Sequence, residues 1–211
     1  MGRAAERSGR DFGEITLLGV SKTFPADRVR TYLQIGLTDF GESYIQEARE
    51  KAAELESACP APHWHFIGHL QTNKAKYAAA LFDTIHSVDS YELAHELNRR
   101  AAALSRVINI YAQVNVSGEG TKSGMAPSAL PEFLKSLPGL TSLKLLGLMT
   151  MPPYDPDPET ARPHFQALRR LRDEHVPGAG LSMGMSGDFE VAIEEGSTII
   201  RVGTALFGDR T

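Results

Sequence analysis

The sequence predicts an α/β protein, a single (β/α)8 TIM barrel over residues 1–211, on three observations. Short β-rich runs alternate with stretches of helical periodicity along the whole chain, the grammar of a barrel of parallel strands. Several runs are near-continuously apolar rather than strictly alternating, as strands covered on both faces are. The turn after the first run, "SKTFPAD", carries no glycine, whereas a doubly wound open sheet usually places a G-x-G-x-x-G turn there.

The predicted strands are 15–22, 38–43, 63–68, 84–89, 108–116, 143–150, 181–186 and 198–208. Between them, Ile45, Ala48, Ala52 and Leu55 stripe one helix. Leu93, Leu97, Ala101 and Leu104 stripe another over 90–104, with Asp89 three residues before Glu92 as a capping-box-like start. Leu130, Phe133, Leu134 and Leu137 predict a third helix, and Ala161, Phe165, Leu168 and Leu171 a fourth. Residues 188–195 predict a short helix stopped by Gly196 at C′. "MPPYDPDPET" is a loop after the sixth strand. The chain stops at Thr211 soon after the eighth strand, so no eighth helix is expected, and residues 1–14 are few and polar for covering that gap.

With 42% hydrophobic and 23% charged residues the chain can bury a sizeable core. A net charge of −4 without a basic stripe argues against nucleic acid. The polar start "MGRAAERSGRDFG" lacks a signal-peptide core, and no window approaches the ~18 apolar residues of a membrane span. Cys59 is the only cysteine, which suits a reducing compartment. A cytoplasmic protein is expected.

In such a barrel the site lies at the C-terminal ends of the strands. The first strand ends on Lys22, and the third on Gly68 and His69. "SGEGTKSG", with Lys122, follows the fifth. "MSGD" puts Ser186 and Gly187 at the seventh strand-to-helix turn, and "VGT" puts Gly203 and Thr204 at the eighth. Backbone amides and a hydroxyl suit a phosphate dianion, and barrels commonly bind phosphate at those two turns, although Gly and Ser also serve ordinary turns. Lys22 reads either as a solvated strand end or as a desolvated amine that attacks a carbonyl to form a Schiff base. Beside a phosphate site the carbonyl compound would be pyridoxal 5′-phosphate or a sugar-phosphate aldose. Arg201 shares a strand face with Ile199 and Gly203. Inside a barrel its charge needs a salt-bridge partner or a ligand, and facing a pyridine nitrogen it would keep that nitrogen unprotonated. His63 and His65 have a spacing that metal hydrolases can use, but they begin their strand, at the wrong end for a barrel site. His65 reads better as a packed or hydrogen-bonded histidine, and His69 is the pocket candidate. Asn73, Lys74 and Lys76 are a solvated helix start or further anion contacts.

The blocks "LLGVSKT", "FGESYIQEA", "WHFIGHLQTNK", "QVNVSGEGTKSGM", "LKLLGLMTMPP" and "LSMGMSGDFEVAIEEGSTIIRVGTALFG" resemble, in order, the pyridoxal phosphate homeostasis protein family. That family is similar to the barrel domain of alanine racemase and of the fold-type III decarboxylases. The resemblance implies that Lys22 carries pyridoxal 5′-phosphate as an internal aldimine and that Arg201 faces the pyridine nitrogen. It implies that Ser186, Gly203 and Thr204 hold the phosphate and that Lys122 takes part in cofactor handling. It also implies a protein that binds, buffers and delivers the cofactor, with apo-enzymes as partners, rather than one with robust turnover. The family lacks the β-domain that brings alanine racemase its tyrosine base and dimeric site, so a monomer is expected. The alternative is a weakly active amino-acid racemase or Schiff-base aldolase. This sequence departs from the family in a shorter N-terminal helix, in Ser43 where asparagine is more usual, and in a short "DRT" tail; the first departure predicts poorer packing at the barrel bottom.

Overall fold

The computed structural model describes residues 1–208; the "DRT" tail lies outside them. Eight parallel strands close into a barrel in chain order, β1-β2-β3-β4-β5-β6-β7-β8. They are β1 Thr16–Val20, β2 Asp39–Glu42, β3 His63–Phe66, β4 Thr84–Val88, β5 Ile108–Gln113, β6 Leu143–Met149, β7 Gly180–Met185 and β8 Ile199–Val202. Closure pairs Leu18 of β1 with Arg201 of β8. The helices are α1 Gly2–Arg7, α2 Ala26–Gln34, α3 Ile45–Glu54, α4 Ala75–Leu81, α5 Tyr91–Ala103, α6 Leu130–Ser136, α7 Arg162–His175, α8 Phe189–Glu194 and α9 Thr204–Phe207. Among the described residues no helix is long and apolar enough to cross a membrane.

The core has an inner and an outer part. Leu18, Val20, Ile67, Tyr111, Met149 and Ile199 pack together inside the barrel. A larger shell joins the outward strand residues, such as Phe40, Ile85 and Leu148, to helix residues such as Val29, Leu97 and Phe165. Period 2 along each strand produces both surfaces at once. Gly147 of β6 is required where it stands, because a Cβ there would meet the Gly180 carbonyl oxygen at 1.9 Å.

Several expectations need correction. The eighth strand stops at Val202 rather than running to 208, because the chain turns at Gly203 into the single turn of α9. An eighth helix therefore exists, and Phe207 on it packs between Phe24 and Tyr32. Nor are residues 1–14 too polar to cover the gap. Ala4 and Ala5 of α1 are buried against Ile193, Ile200 and Val202, and Arg7 pairs with Glu190 and Glu194 on α8. Two small residues suffice because the helix needs only a narrow contact stripe. The α5 cap is Ser90, whose Oγ accepts from Leu93 N–H at 3.3 Å, not Asp89. Strand β5 ends at Gln113; beyond it Val114 bridges to Met125 and donates its N–H to Met149 O at 2.9 Å. The Gly196 stop holds: φ is +96°, Gly196 N–H donates to Ile193 O at 3.0 Å and Ser197 N–H to Ala192 O at 2.8 Å, the paired bonds of a Schellman motif.

Candidate active site at the barrel mouth

A cavity of about 1120 Å³ opens at the C-terminal ends of the strands. Lys22, His69, Ser186, Arg201, Gly203 and Thr204 line it together. Residues from both ends of the sequence meet there because closure sets β1 beside β8.

Lys22 is half-buried and lies in the turn two residues past the end of β1 at Val20, rather than on the strand itself, because the chain leaves the sheet at Ser21. Its two neighbours are anchored by groups that sequence reasoning missed. Ser21 Oγ donates to Glu42 Oε1 at 2.7 Å. Lys51 Nζ, on α3, donates to Ser21 O, Glu42 Oε1 and Glu47 Oε1 at 2.7, 2.7 and 2.6 Å. On the other side Thr23 N–H donates to Glu47 Oε1, holding Thr23 at φ +69°, a left-handed conformation uncommon outside glycine. The backbone on both sides of Lys22 is thus tied to one buried ion-pair network, which fixes where its amine can reach. Burial pushes the Glu42 carboxyl above its ordinary value, against the opposing pull of the Lys51 and Ser21 hydrogen bonds. The one local hint in the sequence is the i,i+4 spacing of Glu47 and Lys51.

Arg201 points into the barrel from β8 and is 3% exposed. Nη1 donates to Ser182 Oγ at 2.8 Å and Nη2 to the Thr150 carbonyl at 2.9 Å. Both partners are neutral, so no salt bridge among the described residues absorbs this charge. Burial lowers its pKa to about 10, with Asp188 opposing the shift, so the guanidinium is charged at neutral pH.

The turns after β7 and β8 are joined. Ser186 Oγ accepts from Gly203 N–H at 3.2 Å and from Ala205 N–H at 3.4 Å, leaving its own O–H to donate. Asp188 braces the first turn: its Oδ1 accepts from Met185 N–H at 2.6 Å. Gly203 has room at the mouth, since a Cβ added there would find its nearest neighbour, Val20, at 3.6 Å.

The remaining candidates divide. His69 is exposed and lines both this cavity and a neighbouring one of about 680 Å³ between α3 and α4. Lys74 lines only the neighbouring cavity, and Lys76 lies 4.5 Å from the Tyr77 ring centroid. Lys122 is not brought to the cavity wall; Ser123 is. The loop carrying Lys122 is held by Asn115, whose Nδ2 donates to the carbonyls of Glu119 and Lys122 at 2.8 and 3.2 Å. His63 is exposed while His65 is buried and hydrogen-bonded to His86 and Asp39. Among the described residues no group of three or more His, Cys, Asp or Glu side chains is arranged to hold a metal.

This arrangement offers an amine, a buried cation and an anion cradle around one cavity. Comparison with known proteins agrees with it. The family model described as alanine racemase, N-terminal domain, matches residues 14–211. The pyridoxal phosphate homeostasis protein of Aquifex aeolicus is 47% identical, the match covering 99% of this chain and 92% of that protein. The Pseudomonas aeruginosa protein of the same name is also 47% identical, over 98% and 90% of the two chains. The solved structure of PipY from Synechococcus elongatus with PLP bound superposes with a TM-score of 0.86 at 37% identity, covering 98% of this chain and 99% of that one.

Proposed function

This chain belongs to the pyridoxal phosphate homeostasis proteins of the alanine racemase N-terminal-domain family, and we propose that it binds pyridoxal 5′-phosphate on Lys22, buffers it and delivers it to apo-enzymes. The residues at the mouth fit that cofactor. Ser186, whose O–H is left to donate while its Oγ accepts from the Gly203 and Ala205 amides, and Thr204, which lines the same cavity, offer hydroxyls suited to a phosphate. Lys22, in the same cavity, supplies the amine that condenses with the aldehyde, with loss of one water. Thr204 and His69 also line the cavity.

The observation that carries the reading is Arg201, a buried cation whose hydrogen-bond partners among the described residues are neutral, on the same cavity as Lys22. When bound, the cofactor supplies an electrophilic carbon and a ring that withdraws electrons best when its nitrogen is protonated. A guanidinium facing that nitrogen disfavours the second positive charge, so the site favours holding the cofactor over driving carbanion chemistry. We further propose that the whole of residues 1–211 acts as one barrel domain, as a monomer in the cytoplasm, where a lone exposed Cys59 is compatible with reducing conditions. Lys122 is assigned to cofactor handling outside the cavity wall.

The test mixes the loaded protein with an apo-enzyme that requires the cofactor. Reactivation faster than release of cofactor into solution supports delivery; a rate no greater than free release counts against it. Parallel incubation with common amino acids in deuterated solvent separates carrier from racemase. Robust α-proton exchange that vanishes in Lys22→Ala would establish an enzyme instead.

A further inference from the structure

A chain of polar side chains crosses the barrel interior beneath Arg201. Ser182 Oγ, which accepts from Arg201 Nη1, lies 2.8 Å from His86 Nδ1. His86 Nε2 lies 2.9 Å from His65 Nδ1. His65 Nε2 lies 3.0 Å from Asp39 Oδ1, at the start of β2 on the barrel floor. His65, His86, Ser182 and Arg201 are all buried. Tyr111 stacks on His86 with ring centroids 4.6 Å apart and planes 16° apart.

With both histidines neutral, the two ends fix the direction of every proton in this chain. A guanidinium only donates and a carboxylate only accepts. Ser182 Oγ, receiving from Arg201, has no acceptor other than His86 Nδ1 among the described residues. His86 therefore carries its proton on Nε2 and donates to His65 Nδ1, and His65 carries its proton on Nε2 and donates to Asp39. The opposite direction would require a protonated Asp39. Burial alone would raise that carboxyl, but the hydrogen bonds from His65 and Thr38 help hold it below its ordinary value. His86, fully buried and facing the Arg201 guanidinium, is held well below the usual imidazole range and is neutral. The other charged or titratable groups facing the chain are His63, 3.8 Å from Asp39, Tyr111, and Asp188 on the Arg201 side.

We infer that Asp39, His65, His86 and Ser182 form a single-polarity hydrogen-bond relay that positions the Arg201 guanidinium toward the cofactor, coupling the barrel floor to the mouth. Asp39, His65 and His86 touch nothing at the cavity and act through Ser182, so they are positioning residues. The inference rests on the cofactor reading only for its functional consequence; the polarity of the relay is a property of the protein alone.

The test has two arms on the full chain. In cofactor-free protein, long-range ¹H–¹⁵N spectra should find both His65 and His86 as Nε2–H tautomers, with slowly exchanging Arg201 Nη–H resonances. Asp39→Leu should mix the tautomers and Asp39→Asn, which keeps an acceptor oxygen, should restore them. In protein loaded with pyridoxal 5′-phosphate, the pH midpoint of the visible absorbance should shift in His86→Phe by about 0.5–1 unit, the size of one lost hydrogen bond. His86→Gln, which can accept from Ser182 and donate to His65, should return it toward wild type. An Nδ1–H tautomer or imidazolium at either histidine in the wild type would overturn the relay. So would a His86→Phe midpoint equal to wild type. A wild type that takes up no cofactor would sink the cofactor reading alone, since the first arm still decides the relay.

Discussion

Replacing Lys51 by methionine removes one charge from the network that anchors Lys22. The ammonium is 4% exposed as a residue and its partner Glu42 is fully buried. Glu42 Oε1 accepts from both Lys51 and Ser21, while Oε2 already lacks a partner among the described residues. Loss of the ammonium leaves a buried carboxylate with one hydroxyl for support. Breaking a buried pair from one side costs about 3–5 kcal/mol. That is a large share of a total stability of about 5–15 kcal/mol, and at about 2–4 °C per kcal/mol for a chain of this size it lowers Tm by roughly 6–20 °C. By contrast, Arg7 and Glu190 are 50% and 46% exposed, and such a surface pair contributes about 0–1 kcal/mol.

The pH dependence has a definite sign. The folded-state pKa of Glu42 lies above the ordinary value, so the folded chain binds this proton more readily than the unfolded one. Ionising Glu42 therefore costs stability as pH rises above the ordinary carboxylate value, and the cost is relieved toward acid. Without Lys51 that cost grows, so urea unfolding should show a wide gap between wild type and Lys51→Met at pH 8 and a narrower gap at pH 5. Adding Glu42→Gln to Lys51→Met should recover about half the loss or more. A gap under about 1 kcal/mol at pH 8, a gap that widens in acid, or a double variant as weak as the sum of the singles would refute the reasoning.

Two further outcomes follow from the site and the barrel. Ser186→Ala removes the hydroxyl that ties the two turns and faces the anion; affinity for pyridoxal 5′-phosphate should fall about tenfold or more, as for a hydrogen bond to a charged group, while affinity for unphosphorylated pyridoxal should hold, as titrations of the two would show. Gly147→Ala forces a Cβ against the Gly180 carbonyl at 1.9 Å, so β6 must part from β7; a loss of about 3 kcal/mol or failure to accumulate as folded protein is expected, checked by denaturation midpoint.

The strands are legible because their composition is local: each apolar run names itself. Helix α2 carries a readable stripe, since its buried Ala26, Val29 and Leu33 keep i, i+3, i+7 spacing, whereas α4 is harder to read. In α4 the sequence "AKYAAAL" is mostly alanine, which offers little contrast between faces. At the mouth, Lys22, Ser186, Arg201, Gly203 and Thr204 can be found because strand ends in a barrel converge by topology. Lys122 stands apart since its loop folds onto Asn115. Most of the relay and of the Lys22 anchor is hard to read for another reason. His65 and His86 are 21 residues apart on the paired strands β3 and β4, while His86 and Ser182 are 96 apart and meet only across the closed barrel; no local pattern says which polar residue will find which partner inside.

The central claim is that Lys22 is the covalent anchor of the cofactor. The most direct measurement loads the protein with pyridoxal 5′-phosphate, reduces it with borohydride and maps the modified peptide by mass spectrometry, for wild type and Lys22→Ala. The account predicts a visible band bleached by borohydride, with the pyridoxyl group on Lys22 alone, and neither band nor stoichiometric label in the variant. A label on Lys122 or spread over surface lysines, or an unchanged band in Lys22→Ala, would contradict it.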